Sequence, residues 1–143
     1  MAHVIKIYLL IVFLLSLWLV NTSHGFCVNT NWKIRFINGI KSSRIIVHPT
    51  TSDGRDFGIQ HLRPFESYIW QFCDDFRRST SYYATFVWPP HVKNYTVLDR
   101  TIEQQCPRSQ GSGVCFWAVR EDGLYVNSNF DPFPVGWVKK YDW

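Results

Sequence analysis

Two histidines, His48 and His61, carry the side chains best suited to acid–base chemistry, because imidazole titrates near neutral pH. Together with a lysine they would form the minimal set for cutting RNA by general acid–base catalysis. No local motif surrounds either. His48 ends an apolar run and His61 lies in another, so the plainer reading is a strand-end and a surface histidine. His91 is the one other histidine beyond the first 25 residues. No serine sits in a G-x-S-x-G elbow. Asp53-Gly54-Arg55-Asp56 spaces two acids around a base, short of the alternating oxygen ligands of a calcium loop. Asp74-Asp75 is followed by Arg77-Arg78, which neutralise it. The sequence therefore implies no catalytic residues, no metal and no cofactor.

The four cysteines, Cys27, Cys73, Cys106 and Cys115, depend on compartment for their meaning. Residues 1–25 supply it. Lys6 precedes the apolar run Ile7–Val20, and the short polar stretch Asn21–Gly25 offers small residues at Ser23 and Gly25. This is the pattern of a secretory signal peptide cut after Gly25. A run of about 14 apolar residues is short for a membrane span, which needs roughly 20. The expected product is a secreted, monomeric protein of one domain, residues 26–143, with no membrane insertion. An even number of cysteines in an oxidising compartment implies two disulfides, and the sequence alone permits three pairings. The net charge of +4 falls to about +3 when Lys6 leaves. The basic residues are scattered, the longest runs being Arg77-Arg78 and Lys139-Lys140, so a nucleic-acid partner is not expected.

The elements that must position these residues read as strands. In Trp32–Ile37, Trp32, Ile34 and Phe36 alternate with Lys33 and Arg35, and Asn38-Gly39 then supplies a turn that tolerates positive φ. Arg44–His48 is β-branched and stops at Pro49. Ile59–Leu62, Ser67–Phe72, Ser81–Trp88, Lys93–Leu98, Val114–Arg120, Leu124–Asn127 and a last segment near Gly136–Tyr141 complete the set. No stretch is convincingly helical. Seven or eight short strands with a turn signal about every ten residues argue for an all-β antiparallel sandwich. Trp32, Trp70, Phe72, Phe86, Trp88 and Trp117 fall at alternating positions and read as core. Trp137 and Trp143 are the candidates for exposure, which a lectin would need as a stacking platform. Asn94-Tyr95-Thr96 is an N-glycosylation acceptor reachable on the secretory route.

In order along the chain stand Phe36-Ile37-Asn38, a strand ending in His48, and an acidic loop closing on Asp56-Phe57-Gly58. Then come Tyr68–Phe72, Thr80–Trp88, Cys115-Phe116-Trp117-Ala118-Val119 and Asp122-Gly123-Leu124-Tyr125. With the leader and the length, this resembles the plant self-incompatibility protein family, the S-protein homologues. The resemblance implies a secreted β-sandwich with mobile connecting loops. The founding members are stigma-side ligands, recognised by a small membrane protein of pollen in the rejection of self pollen.

The pattern departs from the family at two coupled positions. Where the family has Cys after the His that ends the second strand stands Pro49, and where it has Cys within Thr80–Trp88 stands Ala84. The resemblance thus implies that one family disulfide is vacated as a pair, with Cys27 and Cys73 as a replacement staple. The family places Cys at both ends of the segment from Cys106 to Cys115, which implies that these two pair. On the chain-entropy model, a loop of about ten residues is worth roughly 2.7 kcal/mol and the longer Cys27–Cys73 loop roughly 4. Gly54-Arg55 also separates two acids that sit closer in the family.

The expected activity is recognition, by binding to a cell-surface membrane protein. Specificity is assigned to the polar connections Thr50–Gly58, Cys73–Ser79 and Gln104–Gly113, with Asp56, Asp75, Arg77 and Arg108 as candidate contact residues. The competing expectation is a secreted hydrolase such as a ribonuclease using His48 and His61, which requires the two to converge in one cleft with a Lys or a carboxylate.

Overall fold

The computed structural model describes residues 5–7, 10–12, 27, 30–74, 80–106 and 108–143. The cut after Gly25, the start at Phe26, and Asp75 and Arg77 lie outside the described residues. Among the described residues, ten strands form two sheets. The larger holds β10 (Val138–Tyr141), β9 (Gly123–Asn127), β8 (Ser112–Arg120), β1 (Asn31–Asn38) and β4 (Ser67–Cys73) in that order, with β7 (Arg108–Ser109) beside β8. The smaller has the order β3 (Gln60–Leu62), β2 (Ile45–Thr51), β5 (Tyr82–Trp88), β6 (His91–Leu98). Among the described residues no helix is long and apolar enough to cross a membrane.

The period-two pattern decides which faces meet. Trp32, Ile34 and Phe36 of β1 are fully buried, as are Cys115, Trp117 and Val119 of β8. Trp70 and Phe72 join them from β4. Val47, Tyr82, Ala84, Phe86 and Val97 come down from the smaller sheet. The Trp117 indole N–H donates to the Val97 carbonyl at 3.1 Å, tying one sheet to the other. Gly113 has no side chain because Trp32 lies where it would stand; a Cβ there would meet the Trp32 ring at 2.3 Å.

Several details differ from the sequence reading. The pairing of β1 with β8 is parallel, within an otherwise antiparallel fold. The connection after β6 contains a short helix, α1 (Arg100–Glu103), capped by Asp99, whose side chain accepts from the Thr101 and Ile102 N–H groups. A single helical turn leaves no apolar period to read in a sequence. Positive φ occurs at neither Asn38 nor Gly39. Trp88 is half-buried instead of core, and Trp137 and Trp143 are half-buried instead of exposed. Trp143 stacks against His91, and its N–H donates to the Arg120 carbonyl at 2.7 Å.

Strand β2 also passes through Pro49 to Thr51, where the sequence reading ended it. The reason is geometric. The Pro49 carbonyl accepts from Phe57 N–H, so this residue's backbone groups face away from β5. Proline's missing N–H therefore costs the β5 ladder nothing. Pro49 stands directly opposite Ala84, at a pair that exchanges no backbone bonds. Such pairs sit about 4.5 Å apart at Cα, within disulfide range. The double variant Pro49→Cys/Ala84→Cys is expected to oxidise to a third disulfide. It should raise stability by about 4 kcal/mol on the chain-entropy model, less any strain. Thiol titration and thermal melts check this; two free thiols in the folded variant would contradict the register.

Candidate functional site

The strand directions gather the three long polar connections at one end of the sandwich. Asn31 of β1 is aligned with Cys73 of β4 and Ser112 of β8. Tyr82 of β5 is aligned with Thr51 of β2 and Leu98 of β6. The connections 52–59, 74–81 and 99–111 therefore leave from the same end, which we call the loop end. The opposite, turn end holds the tight connections 39–44, 63–66, 89–90 and 121–122.

Two disulfides lie toward the loop end, Cys27–Cys73 with a Cα separation of 5.6 Å and Cys106–Cys115 at 5.3 Å. Backbone bonds knit neighbouring connections together. Ser52 N–H donates to the Ser81 carbonyl and Asp74 N–H to the Thr30 carbonyl. Asn31 N–H donates to the Gly111 carbonyl.

An ionic cluster sits beneath the loops. The Asp74 side chain is nearly buried and accepts from the Tyr82 hydroxyl at 3.3 Å. Arg108 reaches the Asp74 carboxylate at 3.5 Å, the Glu103 carboxylate at 2.6 Å and the Thr30 hydroxyl at 3.1 Å. Its guanidinium also lies 5.3 Å from the centre of the Trp32 ring. Arg108, expected as a contact residue, joins α1 to the residue that follows β4 and the residue that precedes β1. A recess of about 260 Å³ opens beside the cluster, between Asp74, Thr80–Tyr82 and Leu98–Thr101.

Asp56 is placed differently. Its side chain is largely exposed, and its Oδ1 accepts from the Gly58 N–H at 2.8 Å and meets His48 Nε2 at 2.7 Å. These bonds clasp the acidic loop to β2, and Phe57 seals it by packing 4.8 Å from Trp70 between ring centres. Asp53 is held within the same loop by Thr51 and Arg55. The Gly58 N–H first, and His48 second, hold the Asp56 carboxyl below its ordinary value.

His61 is exposed on the outer face of the smaller sheet, opposite Ile46. His48 lies two residues from Ile46, so the histidines are diagonal neighbours on adjacent strands, about 7–8 Å apart on an open sheet. Neither lines the recess at the loop end, and one imidazole nitrogen of His48 is committed to Asp56. Among the described residues no group of three His, Cys, Asp or Glu is placed to hold a metal ion. Asn94 is exposed on edge strand β6 and aligned with Thr85, itself aligned with His48.

The structure defines a disulfide-stapled β-sandwich with three long polar connections at one end. Residues 33–143 match the family model described as plant self-incompatibility protein S1, and the chain belongs to that family. It is similar to "S-protein homolog 29" of Arabidopsis thaliana, 22% identical over 126 residues that span 87% of this chain and 84% of the relative. A solved structure from the family shares the fold with a TM-score of 0.53 and 19% identity, covering 77% of this chain and 96% of its own. That structure is described as one of the SPH (self-incompatibility protein homologue) proteins, a widespread family of small, highly stable, secreted proteins from plants.

The Asp56 clasp sets an acid limit. Because the folded-state value is depressed, the clasp stabilises fully above the ordinary carboxyl value of 3.8 and is lost as pH falls through the folded value. Asp56→Asn should therefore lower Tm at neutral pH, and the gap to the native protein should close as pH drops below about 3.8. Thermal melts across that range check it; a gap that widens in acid would contradict the clasp.

Proposed function

We propose that this protein is a secreted, non-catalytic extracellular ligand that binds a cell-surface membrane protein through its loop end. The observation that carries the reading is the meeting of three long polar connections at one stapled end of the sandwich. Loops held on a rigid scaffold are the usual carriers of specificity. The mature chain begins at or near Phe26, acts as a monomer and carries a glycan on Asn94. Family membership makes pollen–stigma recognition, with rejection of self pollen, the biological setting to test first. Asp56 is the exposed charge through which the acidic loop meets the receptor, with Asp75 and Arg77 in the neighbouring connection. Receptor specificity is thereby separated from the core, so that relatives can keep the sandwich and change the loops.

The test pairs binding with stability. Charge reversal at Asp56, made as Asp56→Lys in the purified secreted protein, should weaken binding to receptor-bearing cells by about tenfold or more, on the order of 1.4 kcal/mol. It should lower Tm only slightly, since the clasp is at the surface. Unchanged binding in the Asp56, Asp75 and Arg77 reversals would overturn the loop assignment. RNA cleavage by the pure protein, abolished by His48→Ala or His61→Ala, would overturn the non-catalytic reading.

A further inference from the structure

The outer face of the larger sheet carries a second feature that the loop end does not explain. The connection 128–137 folds back over this face. Phe130 packs on Phe116 at 5.6 Å, and Phe133 packs on Tyr125 at 5.1 Å. Between them opens a recess of about 360 Å³. Ile37 and Ala118, register partners on β1 and β8, line it with Phe65, Phe130, Phe133 and Trp137. These rings are not spare core. Phe130 is 63% exposed and Phe65 68%.

Phe65 is held there against its own preference. Glu66 N–H donates to the Arg63 carbonyl, closing a four-residue turn with Pro64 second and Phe65 third. Phe65 has φ of 66°, the third-position geometry that a type II turn reserves for glycine. A bulky exposed residue in that conformation is strained without any gain in burial. Such strain persists at functional sites when the surroundings over-determine it. Here the Phe65 N–H donates to the Asn38 carbonyl at 2.8 Å, fixing the ring at the mouth of the recess.

Charge identifies the occupant. The Arg35 guanidinium lies 5.3 Å from the centre of the Phe130 ring, and that of Arg120 lies 4.2 Å from Phe133. Lys33 is exposed on the same face one row away, aligned with Gln71 and Val114. Among the described residues neither arginine meets a carboxylate within 4 Å. Asp131 is the one acid lining the recess. A second copy of the chain would crowd these cations together, because a two-fold interface sets the same patch of both copies face to face. The walls are themselves exposed, so a small free ligand would stay largely in water, whereas a true ligand pocket buries most of its guest. An apolar anchor ringed by arginine and aromatic rings is instead the pattern of a protein–protein hot spot.

We propose that this groove docks an extended protein segment that inserts an apolar side chain between Phe65, Phe130 and Phe133 and presents carboxylates to Arg35 and Arg120. This surface goes beyond the loop-end reading and stands on a different face.

The test selects random peptides of about twelve residues, from a display library, on the purified secreted protein. Enriched peptides should carry an aromatic or aliphatic residue within a few positions of Asp or Glu. Their affinity should fall about tenfold or more in Phe65→Gly, while Tm holds or rises because glycine relieves the turn. Arg35→Gln/Arg120→Gln should weaken binding and flatten its salt dependence. Asp56→Lys should leave it unchanged, which separates this groove from the loop end. The proposal is overturned if no peptide is enriched or if enriched peptides lack acidic residues. It is equally overturned if Phe65→Gly binds as well as the native protein, or if the protein self-associates through this face.

Discussion

The side chain of Asn38 organises the turn end of this molecule. It is fully buried at the last position of β1. Its Nδ2 donates to the Ser43 carbonyl at 2.9 Å and the Leu62 carbonyl at 3.0 Å, and its Oδ1 accepts from the Ile40 N–H at 2.9 Å. Its backbone N–H and carbonyl are bound to Glu66 and Phe65. One residue thus joins the β1–β2 turn, the end of β3 and the β3–β4 turn across both sheets. A buried amide with all three side-chain bonds made specifies one arrangement of those turns, because each bond left open would cost about 1–3 kcal/mol. The strained Phe65 turn exists because this residue pins it.

The loop end is held by different means. Its segments are too polar and too long to bury themselves, so covalent staples and an ionic clamp do the work. Cys27–Cys73 secures the chain ahead of β1 to the end of β4, and Cys106–Cys115 secures the connection carrying α1 to β8. Arg108, resting on Trp32, closes the remaining gap between Asp74 and Glu103. The C-terminal tail seals the side. Tyr141 stacks between Trp117 and Tyr95, and its hydroxyl donates to the Thr96 carbonyl across the sheets. A molecule fixed at one end by buried backbone bonds and at the other by crosslinks can vary its loops without moving its core.

Much of this was legible in the residues. Alternation in Trp32–Ile37, Ser67–Phe72 and Ser81–Trp88 identified both core faces, since a strand's period of two is imposed by its pleat. The coupled replacement at Pro49 and Ala84 marked a cross-strand pair, and these residues do face each other. What was not legible has physical causes. Parallel pairing of β1 with β8 depends on non-local packing, which no local signal reports. The bridging place of Arg108 was not legible because two of its partners lie 34 residues away at Asp74 and 78 away at Thr30; Glu103 alone is near in sequence. The segment Phe130-Asp131-Pro132-Phe133 has no strand period. Its signal was subtler: aromatics in a proline-rich segment with no face of their own to bury.

The central claim is that the cell-surface receptor is read at the loop end, while the turn end fixes the frame and one wall of the separate peptide groove. A photo-crosslinking residue placed singly at Ser52 or Arg55, and in parallel at Lys41 on the turn end, tests this directly on receptor-bearing cells. The account predicts that illumination joins the secreted protein to one cell-surface protein from Ser52 and Arg55, and to none from Lys41. Crosslinking from Lys41 alone would contradict it.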